Sequence, residues 1–402
     1  MKNPRILKAA IVALGLGAPV ALFADDNSPL KPVPPVPAPV TTLGGDMKLS
    51  FAPQADGPSK ALCDFVKQAT RSIDVAIFEI DDPDFVQALL DMASKVRVRI
   101  VMDSTNFKDA NLPLRQKHLV VGDYRGPLMH TKLVAVDGAR IFAGSLNATI
   151  SAEQRQDNNY FTLNAPALAA RVNAVVDHMW AQGPVDNAAG NNSGDSMPTQ
   201  TKWKRAPATT VATVGGEKIE MYMSPEDKPM DRIIAEVSAK DVKTIQFLAF
   251  DLSEPRLLAA IEAARARGAT VSGVFEGTLA GANLGALEKA GCDVEKDANP
   301  NGFMHDKVIL VNAGDPQTAR TITGSFNFSG NAASSNDEDM FIIRSSDVTK
   351  AYVPAFDRIF KMGAEALAPA PAVRAEGMAE LVERVLPNHV DPGAERVFPD
   401  KR

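Results

Sequence analysis

The sequence predicts an α/β protein in two similar domains, and three observations carry that expectation. Strand-like apolar runs alternate with helix-like runs whose apolar residues recur three and four apart. The segment 72–93, "SIDVAIFEIDDPDFVQALLDMA", lies over 244–265, "TIQFLAFDLSEPRLLAAIEAAR", without a gap, so that Ile73 falls on Ile245, Phe78 on Phe250 and Pro83 on Pro255. Further along, Met129-His130-Thr131-Lys132 matches Met304-His305-Asp306-Lys307, and Gly144-Ser145-Leu146-Asn147 matches Gly324-Ser325-Phe326-Asn327. Matches repeated in one order mark an internal duplication.

Residues 1–24 have the parts of a secretory signal: Lys2, Arg5 and Lys8, then the apolar run "AAIVALGLGAPVALFA". Gly15, Gly17 and Pro19 interrupt that run, which falls short of the roughly 20 apolar residues of a spanning helix. Cleavage after Ala24 and export, to the periplasm or beyond, are expected. Residues 25–46 are proline-rich and read as an extended spacer with no core, order beginning near Met47.

The first repeat, 47–182, carries a strand, a helix with Pro83 at its first position, and a second strand "VRVRIVMD". Residues 183–214 are rich in Gly, Asn, Ser, Thr and Pro and read as a linker; its basic-aromatic "TKWKRAP" around Trp203 reads as solvated. The second repeat, 215–363, follows the same plan with "TVSGVFEG" as its second strand. Residues 364–402 form a tail with one short helix-like stretch, "MAELVERVL".

Composition excludes several classes. With 402 residues, 45% hydrophobic and 23% charged, the chain is long enough for two cores and is neither disordered nor membrane-embedded. Its formal charge is −6, and removing the three cations of the signal makes it more acidic still. Its overall field therefore does not steer it toward nucleic acid. Two cysteines and five histidines do not compose a Cys/His zinc site. Cys63 occupies an apolar position in "KALCDFVKQA" and reads as a buried thiol; whether it pairs with Cys292 is left open.

The duplicated cluster carries the chemistry. His130 and Lys132 alternate with Thr131, so a strand would present both on one face, and His305 and Lys307 repeat the arrangement. Asn147 and Asn327, with Ser145 and Ser325, follow the next strand at a Gly turn where backbone can approach a ligand. Brought together across an interface, two Lys and several neutral donors suit a phosphodiester anion. Two imidazoles suit a nucleophile and a general acid on opposite sides of the phosphorus. His118, His178 and His389 have no such setting.

These residues, His-x-Lys-x4-Asp followed by Gly-Ser-x-Asn and present twice, resemble the signature of the phospholipase D superfamily over about 47–363. The resemblance implies two α/β/α sandwich domains related by a pseudo-twofold axis, with the active site at their interface. It implies phosphodiester cleavage without metal or cofactor, through His130, Lys132, His305 and Lys307, with Asn147, Asn327, Ser145 and Ser325 at the phosphate. Asp137 completes the first copy; Asn312 stands at the corresponding place in the second, where the insertion "AGDPQ" lengthens the hairpin. Both read as supports for local backbone. The family places a carboxylate or amide 28 residues past each motif His, which gives Asn158 and, after five inserted residues, Glu338. Each is expected to reach across the interface, Glu338 to a nucleophilic His130 and Asn158 to an acidic His305.

Phospholipid at a membrane surface is the substrate expected first, by hydrolysis or by transphosphatidylation. A nuclease acting on nucleic acid is the alternative, and a silent phosphate- or membrane-binding protein is the alternative from another class. An apolar rim beside the His pair favours lipid, a basic groove favours nuclease, and loss of a pocket residue favours the silent reading.

Overall fold

The computed structural model describes residues 28–54, 57–182, 208–277 and 280–367. The signal sequence, the Trp203 patch and the C-terminal helix-like stretch lie outside the described residues.

Each half forms an eight-stranded mixed sheet. The first contains β1 (Val40–Thr42), β2 (Met47–Ala52), β3 (Ser72–Ile77), β4 (Arg97–Asp103), β5 (Val120–Asp123), β6 (Lys132–Val136), β7 (Arg140–Gly144) and β8 (Asn158–Asn164). The second contains β9 (Thr210–Val214), β10 (Glu217–Ser224), β11 (Thr244–Ala249), β12 (Thr270–Phe275), β13 (Asp293–Lys296), β14 (Lys307–Val311), β15 (Arg320–Gly324) and β16 (Glu338–Arg344). The strand orders are β1-β2-β8-β7-β6-β3-β4-β5 and β9-β10-β16-β15-β14-β11-β12-β13, which are the same order twice. In both, three strands run parallel (β3-β4-β5 and β11-β12-β13) and the others pair antiparallel. The parallel pairs need crossovers, and the repeated strand–helix–strand segments supply them.

Helices α1 (Pro58–Lys67) and α2 (Pro83–Ala93) cover the outer face of the first sheet. After the short α3 (Leu112–Gln116) and α4 (Ile150–Gln154), the long α5 (Pro166–Gln182) closes the first half. Helices α6 (Pro229–Ser238), α7 (Pro255–Ala266) and α8 (Gly281–Lys289) cover the second sheet, followed by the short α9 (Gly330–Ser334) and the long α10 (Ser346–Leu367). Pro83 and Pro255 occupy the first helical turn, and Asp82 caps α2 by accepting from the Asp84 and Phe85 amides at 2.9 and 3.1 Å.

Strands buried on both faces explain the continuous apolar runs. In β6, Val134 and Val136 enter the outer core, whereas Leu133 and Ala135 enter a central one. In β14, Ile309 and Val311 face out while Val308 and Leu310 face in. The central core joins both halves: Leu133, Val172 and Phe161 share it with Leu310, Phe341 and Tyr352. The two similar α/β domains therefore form one compact body through Ala364.

The proline-rich segment departs from expectation. It is not a coreless spacer: β1 pairs with β2, and Val33 and Val36 pack against the central core. The described residues from Val33 onward thus belong to the fold well before Met47. The second half likewise begins earlier than 215, because β9 is a hydrogen-bonded edge strand on β10, and α10 runs to Leu367. Cys63 and Cys292 are free, buried thiols in the outer cores of different halves. Among the described residues no helix is long and apolar enough to cross a membrane.

Candidate active site

Both motif histidines lie where the halves meet, two residues ahead of the first residues of the strands expected to carry them. Strands β6 and β14 begin at Lys132 and Lys307, so His130 and His305 precede them. The reason is that their backbones bond across the interface. The His130 N–H donates to the Asp337 carbonyl at 2.8 Å and the Asp337 N–H to Leu128 at 2.9 Å; His305 donates to Asp157 at 2.8 Å and Asp157 to Phe303 at 3.1 Å. These crossed bridges place the two imidazoles edge to face, with ring centroids 6.5 Å apart.

Each ring is held through Nδ1 by a residue of the other half. His130 Nδ1 is 2.7 Å from Glu338 Oε2, and His305 Nδ1 is 2.9 Å from Asn158 Oδ1. The amide of Asn158 is fixed in turn, because its Nδ2 donates to the Ala152 carbonyl at 3.1 Å. Its Oδ1 is thus an acceptor, His305 donates from Nδ1, and Nε2 carries no proton in the neutral ring.

The two serines are not available to substrate. Ser145 Oγ donates to Asn158 Oδ1 at 2.9 Å, and Ser325 Oγ to Glu338 Oε2 at 2.8 Å. A hydroxyl has one proton to give, and both give it to the group that orients a histidine. The Gly turn is also put to another use. Gly144 and Gly324 adopt φ of 142° and 137°, and a Cβ there would lie 2.3 Å from the Asn159 carbonyl oxygen and 2.4 Å from that of Asp339. The close approach is to β8 and β16, not to a ligand. Asn147 and Asn327 follow, each with a buried Oδ1 that has no protein partner.

Lys132 and Lys307 are almost wholly buried, at 2% and 1% exposed, and each Nζ donates to the carbonyl of its own motif histidine, at 2.7 and 2.6 Å. Each also lies over an aromatic ring, Phe78 at 5.3 Å and Phe250 at 4.5 Å. The same two rings pack edge-on against His130 and His305 at 4.9 and 5.0 Å, and Phe303 lies 5.9 Å from His305. Sequence reasoning matched Phe78 to Phe250 without seeing that they wall the site. It also missed Asp339, whose Oδ1 accepts the Lys132 N–H at 2.9 Å, and Asp306, which accepts from Asn159 Nδ2 at 2.7 Å. The signal available was position: each stands beside a residue already singled out.

Burial governs the electrostatics. It holds both imidazoles well below their usual range, and the two Lys cations push the same way, so both rings are neutral at rest. Burial lowers Lys132 to about 8 against the pull of Glu338 and Asp339. It lowers Lys307 further, with the Lys132 charge adding to the effect. Burial raises Glu338 to about 7, opposed by Lys132 and the Ser325 hydroxyl. The pocket thus buries two amines and two imidazoles whose charged forms an entering anion would stabilise.

Asp137 and Asn312 do equivalent structural work. Both sit at left-handed φ, 58° and 51°, which Asp and Asn tolerate better than other side chains. Asp137 accepts the N–H groups of Thr70, Arg71 and Ser72, at 2.7 to 3.1 Å. Asn312 Oδ1 accepts those of Lys243 and Thr244 at 2.7 and 3.0 Å, and its Nδ2 donates to the Asp241 carbonyl at 2.8 Å. An acceptor is what the strand start requires, so an amide replaces the carboxylate without loss. Among the described residues, no three His, Cys, Asp or Glu side chains gather as a metal site would need.

The chain is similar to several known proteins. A mitochondrial cardiolipin hydrolase of Chlamydomonas reinhardtii is 30% identical over 128 residues, 29% of this chain and 55% of that protein. The Xenopus tropicalis protein of the same name is 26% identical over 185 residues, 43% of this chain and 88% of its own length. A phospholipase D of Rickettsia prowazekii is 29% identical over 124 residues, 30% of this chain and 60% of that one. The chain thus spans about half the length of the Chlamydomonas relative. Among solved structures, phosphatidylserine synthase of Haemophilus influenzae shares the fold, with a TM-score of 0.58 at 11% identity over 84% of this chain and 92% of the other. The family model described as "Cardiolipin synthase, PLD-like domain" matches twice, at residues 62–180 and 233–360, and between them the matches take in both histidines, both lysines and both crossed partners. On that match the chain belongs to the phospholipase D superfamily, whose domain it carries in two copies.

Proposed function

We propose that the protein is an exported, metal-independent phosphodiesterase that cleaves phospholipid headgroup esters through a phosphohistidine. The observation that carries the reading is the unequal support of two facing imidazoles, a carboxylate on His130 and an amide on His305.

The division assigns the roles. Attack on phosphorus leaves a positive imidazole, and a carboxylate at Nδ1 stabilises that charge, so His130 is the nucleophile. An amide fixes orientation without fixing charge. His305, protonated when the phosphodiester anion enters, gives its proton to the leaving alcohol. It then takes one from water as the phosphohistidine is hydrolysed, or from a primary alcohol when the phosphatidyl group is transferred. Lys132 and Lys307, with the Nδ2 groups of Asn147 and Asn327, donate to the phosphoryl oxygens. Nothing in this set calls for a divalent cation.

The rim favours lipid. Half-buried Phe78, Phe250 and Phe303 surround the histidines, with the carboxylates of Glu79 and Asp251 next in sequence to two of them. A mouth walled by aromatic rings suits a glycerolipid better than a polyanionic strand. The names of the relatives support the same class, and the signal pattern of residues 1–24 supports export.

The test is to treat the purified protein exhaustively with EDTA and assay it against phospholipid vesicles and single- and double-stranded DNA. Headgroup release that survives the chelator is the expected result. Activity lost to EDTA and restored by added metal overturns the mechanism, and turnover of DNA alone overturns the substrate.

A further inference from the structure

We infer that the N-terminal arm, Ser28–Pro37, is a positioning element for His305; the inference rests on His305 acting as the acid–base group of the proposed reaction. The arm crosses both halves. Arg155 donates to the Ser28 carbonyl at 2.7 Å, Asn301 to that of Lys31 at 2.8 Å, Arg358 to that of Pro34 at 2.9 Å, and Gln54 to that of Pro37 at 3.4 Å. The four carbonyls belong to every third residue. Three residues per turn is the repeat of a polyproline II helix, which makes no internal hydrogen bonds and lays such carbonyls along one edge. Val33 and Val36, also three apart, pack on the central core. The arm is therefore bound along its length, as a proline-rich ligand would be, by residues of both domains.

Two of those residues lead to His305. Asn301 closes a two-way bond with Lys31, accepting its N–H at 2.6 Å, four residues ahead of the histidine. Arg358, on α10, bonds the Pro34 carbonyl through Nε and Asp157 Oδ1 through Nη1 at 2.5 Å. Asp157 also accepts from Asn299 Nδ2 at 2.7 Å, and its carbonyl holds the His305 N–H at 2.8 Å.

The His130 side is built differently. Its counterpart of Asp157 is Asp337, whose carboxylate pairs with Arg125 from the loop that leads into His130 itself. Counting back five residues from His305 reaches Pro300, which carries no charge. Arg358 supplies the missing cation from a helix, and the arm holds that arginine by its other face. Displacing the arm loosens the support of one imidazole and leaves the other intact.

The experiment uses the full chain and two variants that reach the same contact from opposite sides. Asn301→Ala removes the side chain that grips Lys31, and Lys31→Pro removes the N–H, together with an exposed ammonium, while suiting the extended arm. Each is assayed on an alkyl phosphodiester, whose leaving alcohol needs a proton, and on a p-nitrophenyl phosphodiester, whose leaving group does not. Both variants are expected to lose about tenfold to a hundredfold in kcat/KM on the alkyl ester, and about twofold or less on the p-nitrophenyl ester, with melting temperatures near that of the parent. An equal fall on both esters, or no fall on either, overturns the inference. His305→Ala serves as the reference. If it shows the leaving-group split and the arm variants do not, the arm has no positioning role; if it shows no split, the acid–base reading of His305 fails and the inference with it.

Discussion

Replacing Glu338 by Gln separates what this carboxylate does for the reaction from what its burial costs the fold. Burial lifts its pKa from 4.5 to about 7. The folded state therefore holds a proton that the unfolded state has already released between those values. Stability falls as pH rises through that window and is level above it, because the folded protein binds more protons than the unfolded one. A shift of about 2.5 units corresponds to about 3 kcal/mol. Glutamine does not titrate, so the stability of Glu338→Gln relative to the parent should improve by about 3 kcal/mol between pH 4.5 and pH 8. The pH-independent effect of the altered hydrogen bonds cancels in that comparison, and His130, in contact with Glu338, titrates as part of the same pair. Urea denaturation at several pH values measures it. Turnover should fall by about a hundredfold or more, because the imidazolium formed on attack loses its counter-charge. A stability difference that is flat with pH refutes the raised carboxylate. A difference that runs the other way shows Glu338 held as an anion by a protonated His130, which reverses the resting charges assigned above.

The two histidines should fail differently. His130→Ala should abolish turnover of every substrate, whereas His305→Ala should still attack a p-nitrophenyl phosphodiester and accumulate phosphoenzyme; quenching with labelled substrate and mapping the peptide checks this, and label on His305 in a His130 variant reverses the roles. At Asn312 the strand start needs an acceptor at left-handed φ. Asn312→Asp should thus stay within about 1 kcal/mol of the parent, and Asn312→Ala should lose about 1–3 kcal/mol by leaving the Lys243 and Thr244 amides unpaired. Equal losses in denaturation of the two variants would show that the acceptor is not what matters there.

What could be read from the sequence was whatever depended on spacing. The duplication fixed the pairing of elements, because a strand, a helix opening on proline and a second strand have few ways to pack. Counting 28 residues from His130, and 28 plus the five inserted residues from His305, found Asn158 and Glu338. Orientation was less legible. Ser145 and Ser325 have the chemistry of phosphate ligands, and only the β8 and β16 backbones, pressed against Gly144 and Gly324, turn their hydroxyls toward Asn158 and Glu338. Composition misled at the arm. Proline-rich segments usually lack a core of their own, but Val33 and Val36 enter one supplied by the rest of the chain.

Fusing two copies of the domain matters because it frees the site from symmetry. If two identical chains met on a twofold axis, both histidines would carry the same partner and neither would be predisposed to attack. Here the crossed geometry is kept while the partners diverge, Glu338 on one side and Asn158 on the other. The divergence extends outward in step. Thr131 in the first motif corresponds to Asp306 in the second, Arg125 corresponds to Pro300, and the arm's contacts through Asn301 and Arg358 lead to the His305 side. A carboxylate that stabilises positive charge on one ring, and a neutral, externally braced amide on the other, push the two imidazoles toward different protonation states once an anion binds between them. A displacement at phosphorus requires that inequality, since one ring must enter with a lone pair and the other with a proton. On the proposed mechanism, the asymmetry of the supports decides which ring attacks and which gives up the proton.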